Sequence, residues 1–595
     1  MQEDENTPTG PSLQGSKGRK QKKLRKPLPK WLKITLTVIY SIAVLINWGI
    51  VFTIIIPLFN GIATYLYFDC NFPANHVETS LTQEQRLKDF DYMYDIVCLQ
   101  NPRKEYFEEA YGISYEDIYN RYREYVINAK SDYEFFSYLT CFLAVLPGQH
   151  NYMSFPKYDF SSVTGFELSE VYGTQEFNDY INSWIEEFRD DVADYSEYSL
   201  ICFRYINGQY VGVALSATDR SCISDYELGR LISLDGNDPV DMCFDLFDRS
   251  VPVYDSGNDC FFRNVLLFNN GTGVRHTAEI LMPDGETVTV DLYDDPCYDV
   301  YFTDGYSAYK TVEERPEGDE PGENTPAPGI MDDDYVPTTY TIVPDEDRDL
   351  IYVESTNCET GEGERLVRDL TQTLESTGID NIILDIRNNG GGEVDFVRYQ
   401  LLPAIFDHDV QFNPQVIGRK NSYTSNYYFS TYSRLVDIVR GDDFPTTDFE
   451  YFYYTEDFSV EGKADKPYKI YLLTSTDTFS SGDIMTRLCK LYDNAVVVGT
   501  NTEGEGICGS PFNCYLPESH FAFVYVPTVN IDYVDDSIYG TEPDIYVPRT
   551  YEEYSRRIEL KYVDGADPTS YEGRITWDQT LLSVIDMIEK QDDYE

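Results

Sequence analysis

Two short segments place chemically useful groups just beyond apolar runs. The first is Thr478-Phe-Ser-Ser-Gly-Asp-Ile-Met485. It joins a strand expected to end near Thr474 to a helix with Ile484, Met485, Leu488 and Leu491 on one face. A serine at such a strand-to-helix entry, Ser480 or Ser481, projects from the sheet edge. There the first helix amides and the helix dipole favour negative charge. A plain helix N-cap suits the same position. The second segment is Asp385-Ile-Arg-Asn-Asn-Gly-Gly-Gly-Glu393. Three successive glycines let backbone N–H groups approach a ligand with no Cβ in the way, and such amides stabilise an oxyanion. A tight turn would use the same triplet. A serine nucleophile also needs a base, and imidazole titrates near neutrality as a general base should. The chain has five histidines, His76, His150, His276, His408 and His520.

In order and spacing, "ILDIRNNGGG" and "TFSSGDIMTRLCKLYDNAVVVGTNTEG" resemble the two core blocks of the tail-specific (C-terminal processing) serine protease family. The resemblance covers roughly Thr341–Pro548, and Tyr539-Gly-Thr-Glu-Pro-Asp-Ile545 is similar to the family's closing block. It implies an α/β fold with a crotonase-like ββα core and hydrolysis of peptide bonds without metal or organic cofactor. It puts the nucleophile on Ser480, and the oxyanion donors on the amide of Ser481 and that of Gly391 or Gly392. The best-known branch pairs its serine with a lysine, but the matching position here is Glu505, with no lysine nearby. An ionised carboxylate cannot repeat the role of that amine. Tricorn-like members use a histidine from a segment ahead of the core. "LPGQHNYM" resembles that block, which puts the base on His150. The group orienting the imidazole stays open between Gln149, Asp536 and a nearer carboxylate.

The surrounding chain supplies candidate elements to hold these groups. Strand–helix alternation over 341–595 argues for a catalytic core with buried parallel strands: Leu350–Glu354, Asn381–Ile386, Ile470–Thr474 and Ala495–Val498, with helices Glu364–Leu374 and Gly482–Leu491. Residues 79–155 read as helical, opened by the capping boxes Thr82–Gln85, Ser114–Asp117 and Ser131–Glu134. Residues 196–300 read as β-rich, with a strand at Tyr210–Leu215 and a hairpin turning at Pro283-Asp284-Gly285. There "LGRLISLDGNDPVDM" resembles a PDZ core of strand, Asp-Gly turn and helix, which implies a peptide groove. Residues 313–337, rich in Glu, Pro, Gly and Asp, read as a linker.

Ile34 to Phe68 contains no charged residue, and the run is preceded by the basic stretch Lys17–Lys33. At 1.5 Å per residue, residues 34–58 are long enough to cross a bilayer. Positive charge stays on the cytoplasmic side. The expectation is a cytoplasmic tail at 1–33, one transmembrane helix, and an extracytoplasmic remainder acting on polypeptides. A net charge of −57 repels phosphate backbones and makes nucleic acid a poor partner. The runner-up reading is a catalytically inactive peptide-binding scaffold on the same fold. An acyl hydrolase or hydratase on that core would need an acyl-carrier pocket, which nothing in the sequence suggests.

Overall fold

The computed structural model describes residues 81–592 apart from 100, 147–149, 155–201, 214–227, 247–250, 268–274, 294–339, 420–436, 441–449, 507–511, 520, 527 and 531–537. The expected tail (1–33), span (34–58) and linker (313–337) lie outside these residues. Among the described residues no helix is long and apolar enough to cross a membrane.

Four helices come first: α1 (Gln83–Tyr94), α2 (Lys104–Tyr111), α3 (Tyr115–Asn128) and α4 (Asp132–Val145). Their starts follow the capping chemistry of the sequence. Thr82 forms a complete capping box with Gln85, and Ser114 and Ser131 accept from the amides of Asp117 and Glu134. The apolar faces of these helices meet in one core, with Phe90, Phe135, Leu139, Phe142 and Leu143 fully buried. That core also takes in Leu516, Phe521, Phe523 and Tyr525, so the helices are sealed against a β-hairpin from far along the chain. The hairpin is β18 (Phe512–Tyr515) and β19 (Ala522–Tyr525). The three-residue β1 (Tyr152–Ser154) adds to it antiparallel, with Met153 opposite Phe523.

Next comes an antiparallel sheet of β2 (Cys202–Ile206), β3 (Gln209–Val213), β4 (Arg230–Leu234), β7 (Val265–Leu267), β8 (Arg275–Leu281) and β9 (Thr287–Tyr293), in the order β7-β2-β3-β4-β8-β9. A separate hairpin joins β5 (Pro252–Asp255) to β6 (Cys260–Arg263). The β8–β9 hairpin turns where Pro283-Asp284-Gly285 predicts it, with Gly285 at φ +90°. The Asp235-Gly236 turn also forms, both residues at positive φ. The helix expected after it does not. Residues 237–246 run as turns, with Val240 N–H capped by the Asp238 carboxylate. Asp and Pro so close together favour turns over a helix interior.

The last sheet is mixed, in the order β10-β11-β12-β16-β17-β21. Its strands are β10 (Tyr340–Asp345), β11 (Leu350–Ser355), β12 (Asn381–Asp385), β16 (Lys469–Thr474), β17 (Ala495–Gly499) and β21 (Ile545–Tyr546). β10 is antiparallel to β11, and the rest are parallel. Side chains alternate between two cores. On one face Ile382, Leu384 and Leu472 meet Leu366 and Leu370 of α5 (Thr360–Thr377) and Ile484 and Leu488 of α6 (Ser481–Lys490). On the other, Ile383, Tyr471 and Leu473 meet Leu581, Val584 and Ile588 of α8 (Gln579–Asp592); α7 (Tyr551–Glu559) precedes it. Burial on both faces explains why these strands read as unbroken apolar runs. A smaller sheet, β14 (Asp437–Arg440), β15 (Glu450–Thr455), β13 (Gln415–Arg419) and β20 (Thr528–Asn530), completes the described strands.

Candidate active site

The site forms where β16 hands over to α6. Thr478 Oγ1 donates to the carbonyl of Ile386, Phe479 N–H donates to the carbonyl of Asn389, and Ser480 N–H donates to the carbonyl of Gly504. Ser480 is therefore held between the glycine loop after β12 and the loop after β17. Its backbone sits at φ +54°, ψ −117°, a region that costs a non-glycine residue on the order of 1–3 kcal/mol. Although Ser480 is at the N-cap position, its side chain makes no capping bond. Ser481 Oγ is occupied, donating to the carbonyl of Gly392 at 2.6 Å. These two facts separate the serines: Ser480 carries the available hydroxyl and Ser481 braces the glycine loop.

That loop fits because it lacks side chains. A Cβ on Gly391, at φ +98°, would sit 2.6 Å from Ser480 Cβ, and one on Gly392, at φ +134°, would sit 2.7 Å from the carbonyl oxygen of Cys358. The Gly391 amide is already bonded to Asn389 Oδ1 at 2.9 Å. The amides of Gly392 and Ser481 donate to no acceptor among the described residues. Of the glycine amides expected to face an oxyanion, Gly392 is the one left open, and Gly391 supplies the close approach to Ser480.

His150 reaches the serine across 330 residues of chain, its Nε2 lying 3.3 Å from Ser480 Oγ. Two features hold it. Asn151 Oδ1 accepts from Val526 N–H at 3.1 Å, and β1 begins directly afterwards on β19. The ring also lies against Phe479, with centroids 4.7 Å apart.

Behind the imidazole, Nδ1 lies 3.9 Å from Oε2 of Glu505. Glu505 is buried at 4% exposure and bonded through Oε1 to the equally buried guanidinium of Arg103, just ahead of α2. Burial pushes the Glu505 carboxyl up. The charge of Arg103 and the interaction with His150 outweigh that and hold it below the usual carboxylate range. Its place is set by Asp483 on α6, which accepts from Thr502 Oγ1, Thr541 Oγ1 and Gly506 N–H around the same loop. The sequence marks Glu505 only as the position where a lysine is missing. No local sequence signal marks its place beside the imidazole, which the buried guanidinium of Arg103, 402 positions away, helps to set. Of the two named orienting candidates, Gln149 and Asp536, both lie outside the described residues.

Asp385 and Arg387, inside the glycine motif, serve the scaffold. The Arg387 guanidinium bridges Asp385 and Asp578, tying the end of β12 to the start of α8. Burial raises the Asp385 carboxyl, but Arg387 and Arg574 more than reverse this and leave it well below the usual range.

Residues 349–547 match the model of peptidase family S41. No curated protein matches the chain. Among solved structures, mature CPAF complexed with lactacystin is 14% identical over 82% of this chain and 98% of that one, with a TM-score of 0.44. The photosystem II D1 C-terminal processing protease is 12% identical over 79% and 94%, TM-score 0.31. Tricorn protease is 13% identical over 85% of this chain and 37% of that one, TM-score 0.28. Residues 349–547 thus match peptidase family S41, and the match supports a serine peptidase.

Proposed function

We propose that the protein is a membrane-anchored endopeptidase that cleaves extracytoplasmic polypeptides through an acyl-enzyme on Ser480. The observation that carries the mechanism is the 3.3 Å approach of His150 Nε2 to Ser480 Oγ. His150 takes the serine proton as Oγ attacks the carbonyl. The amides of Gly392 and Ser481 receive the oxyanion, and water resolves the ester. Glu505, ionised beside the imidazole, favours the tautomer with its proton on Nδ1 and stabilises the imidazolium that forms. The Nδ1–Oε2 gap is longer than a hydrogen bond, and such contacts commonly tighten only once substrate is bound.

The uncharged stretch 34–58 behind a basic tail supports the anchor and the outward-facing orientation. The crotonase-like core and the PDZ-like role of the sheet in 202–293, presenting peptide segments to the cleft, rest on the sequence resemblance.

The test is hydrolysis of an unstructured polypeptide by the full chain beside Ser480→Ala and His150→Ala. Each substitution is expected to lower turnover by on the order of 10⁴-fold or more. Equal turnover by the parent and Ser480→Ala chains would leave the inactive-scaffold reading.

A further inference from the structure

An oxyanion donor has to be aimed, and the segment that follows β11 does this for the Gly392 amide. The peptide joining Gly391 to Gly392 is trans and planar, so its carbonyl and its N–H point opposite ways. The Gly391 carbonyl accepts from Cys358 N–H at 2.8 Å. The Gly392 N–H is thereby turned away from the buried Cys358 segment, at a residue that is itself exposed. The next peptide is gripped from both sides. Ser481 Oγ donates to the Gly392 carbonyl at 2.6 Å, and Glu393 N–H donates to the Cys358 carbonyl at 2.7 Å. Cys358 and Gly392 pair as a short parallel bridge.

A side chain fastens the outer end of this bridge. Glu393 Oε2 accepts from Thr360 N–H at 2.9 Å and from the Thr360 hydroxyl. Thr360 opens α5, whose N-cap residue, Glu359, makes no side-chain capping bond. The first amides of a helix need acceptors from outside it, and a carboxylate there also meets the positive end of the helix dipole. Glu393 answers that need from 33 positions along the chain. The bonds from Thr360 hold its carboxyl below the usual carboxylate range. The anchor is firm, because Leu366, Leu370 and Leu374 seat α5 in the core against the main sheet. The glycine loop has no such burial at Gly392 and Glu393, which are both exposed.

We propose that Glu393 is a positioning residue of the oxyanion hole: by fastening the glycine loop to the first turn of α5, it keeps the Gly392 amide aimed into the cleft. The inference rests on the acyl-enzyme reading, in which that amide receives the oxyanion. Glu393 touches no reacting atom. Losing one oxyanion donor outright costs about 10²–10³ in rate, and an amide set adrift loses part of that. Capping of α5 alone would be a purely structural role, and it predicts a different outcome, because a cap can also be supplied at position 359.

The experiment compares the full chain with Glu393→Ala, Glu393→Gln and the double variant Glu359→Ser/Glu393→Ala. The Glu359→Ser change gives α5 a cap of its own without a tie to the glycine loop. On an unstructured polypeptide, Glu393→Ala is expected to lower kcat by about tenfold to a hundredfold with KM within about twofold. Glu393→Gln keeps an acceptor for Thr360 and holds kcat within about threefold of the parent. The double variant regains the parent melting temperature but stays slow. An unchanged kcat in Glu393→Ala, a rise in KM alone, or recovery of kcat in the double variant overturns the proposal. Hydrogen exchange at the amides of positions 358 and 393, the two that cross the bridge, reads the loop without any turnover. Faster exchange in the double variant supports the clamp, and unchanged exchange overturns it. Equal hydrolysis by the parent and Ser480→Ala chains would instead sink the catalytic reading, with the exchange result still deciding the clamp.

Discussion

The proposed nucleophile and its proposed base come from regions built in opposite ways. Ser480 and Gly392 belong to loops at one end of a single sheet, and Ser481 to the first turn of α6, all pinned by a dense set of backbone hydrogen bonds. Their positions follow from local chain geometry. His150 and Arg103 belong to the helical layer, and reach the site only because that layer packs on the β18–β19 hairpin and lends it a short third strand. The serine side is rigid and locally strained. The imidazole side depends on the docking of distant elements. The placing of the proposed base is therefore a tertiary property, while that of the proposed nucleophile is close to a secondary-structure property.

Removing the link between the two sides tests that contrast most severely. Glu505→Gln keeps the side-chain volume and an acceptor for Arg103 but loses the charge facing the imidazole. We expect kcat to fall by on the order of 10³-fold with KM little changed. A rise in KM alone would mean that Glu505 acts on binding. Arg103→Met leaves the Glu505 carboxylate buried without its cation. Breaking such a buried pair costs about 3–5 kcal/mol, which denaturant unfolding would report. An unchanged midpoint would show that the helical layer is not tied to the site through this pair.

A pH experiment addresses the docking itself. Asp89 on α1 accepts from the amides of Glu518 and Ser519, both at 2.8 Å, beside the hairpin. Burial raises its carboxyl from 3.8 to about 6. The folded state therefore holds this proton more tightly than the unfolded chain. Its contribution to stability is complete below about pH 4, declines as pH rises to about 6, and is level above that. The full change is about 3 kcal/mol at 1.36 kcal/mol per pH unit. Comparing unfolding midpoints of the parent and Asp89→Asn chains from pH 4 to 7 isolates it, because other carboxylates contribute equally to both. A pH-independent difference would contradict the assignment.

The same contrast governs what could be read from the sequence. The alternating strands and helices of the core are visible because each strand is buried on both faces and each helix on one, so periodicity reports them directly. The caps at Thr82, Ser114 and Ser131 are equally local. After Gly236 the PDZ resemblance predicts a helix, whereas the residues there favour turns. Glu505 escaped for a different reason. Its chemistry is defined by Arg103 and His150, some 400 and 350 positions away along the chain, and no periodicity links them. Read locally it was a missing lysine; in space it is the imidazole's partner.

The unusual backbone of Ser480 also bears on how this protein can change. A conformation with positive φ and strongly negative ψ is comfortable for glycine and costly for any residue with a Cβ. The proposed nucleophile is thus a standing burden on the fold, and a chain that surrendered it to glycine would melt at a higher temperature while losing the hydroxyl. Selection for robustness alone would erode this position first, and a threonine, crowded at Cβ, could not take over the same hydroxyl.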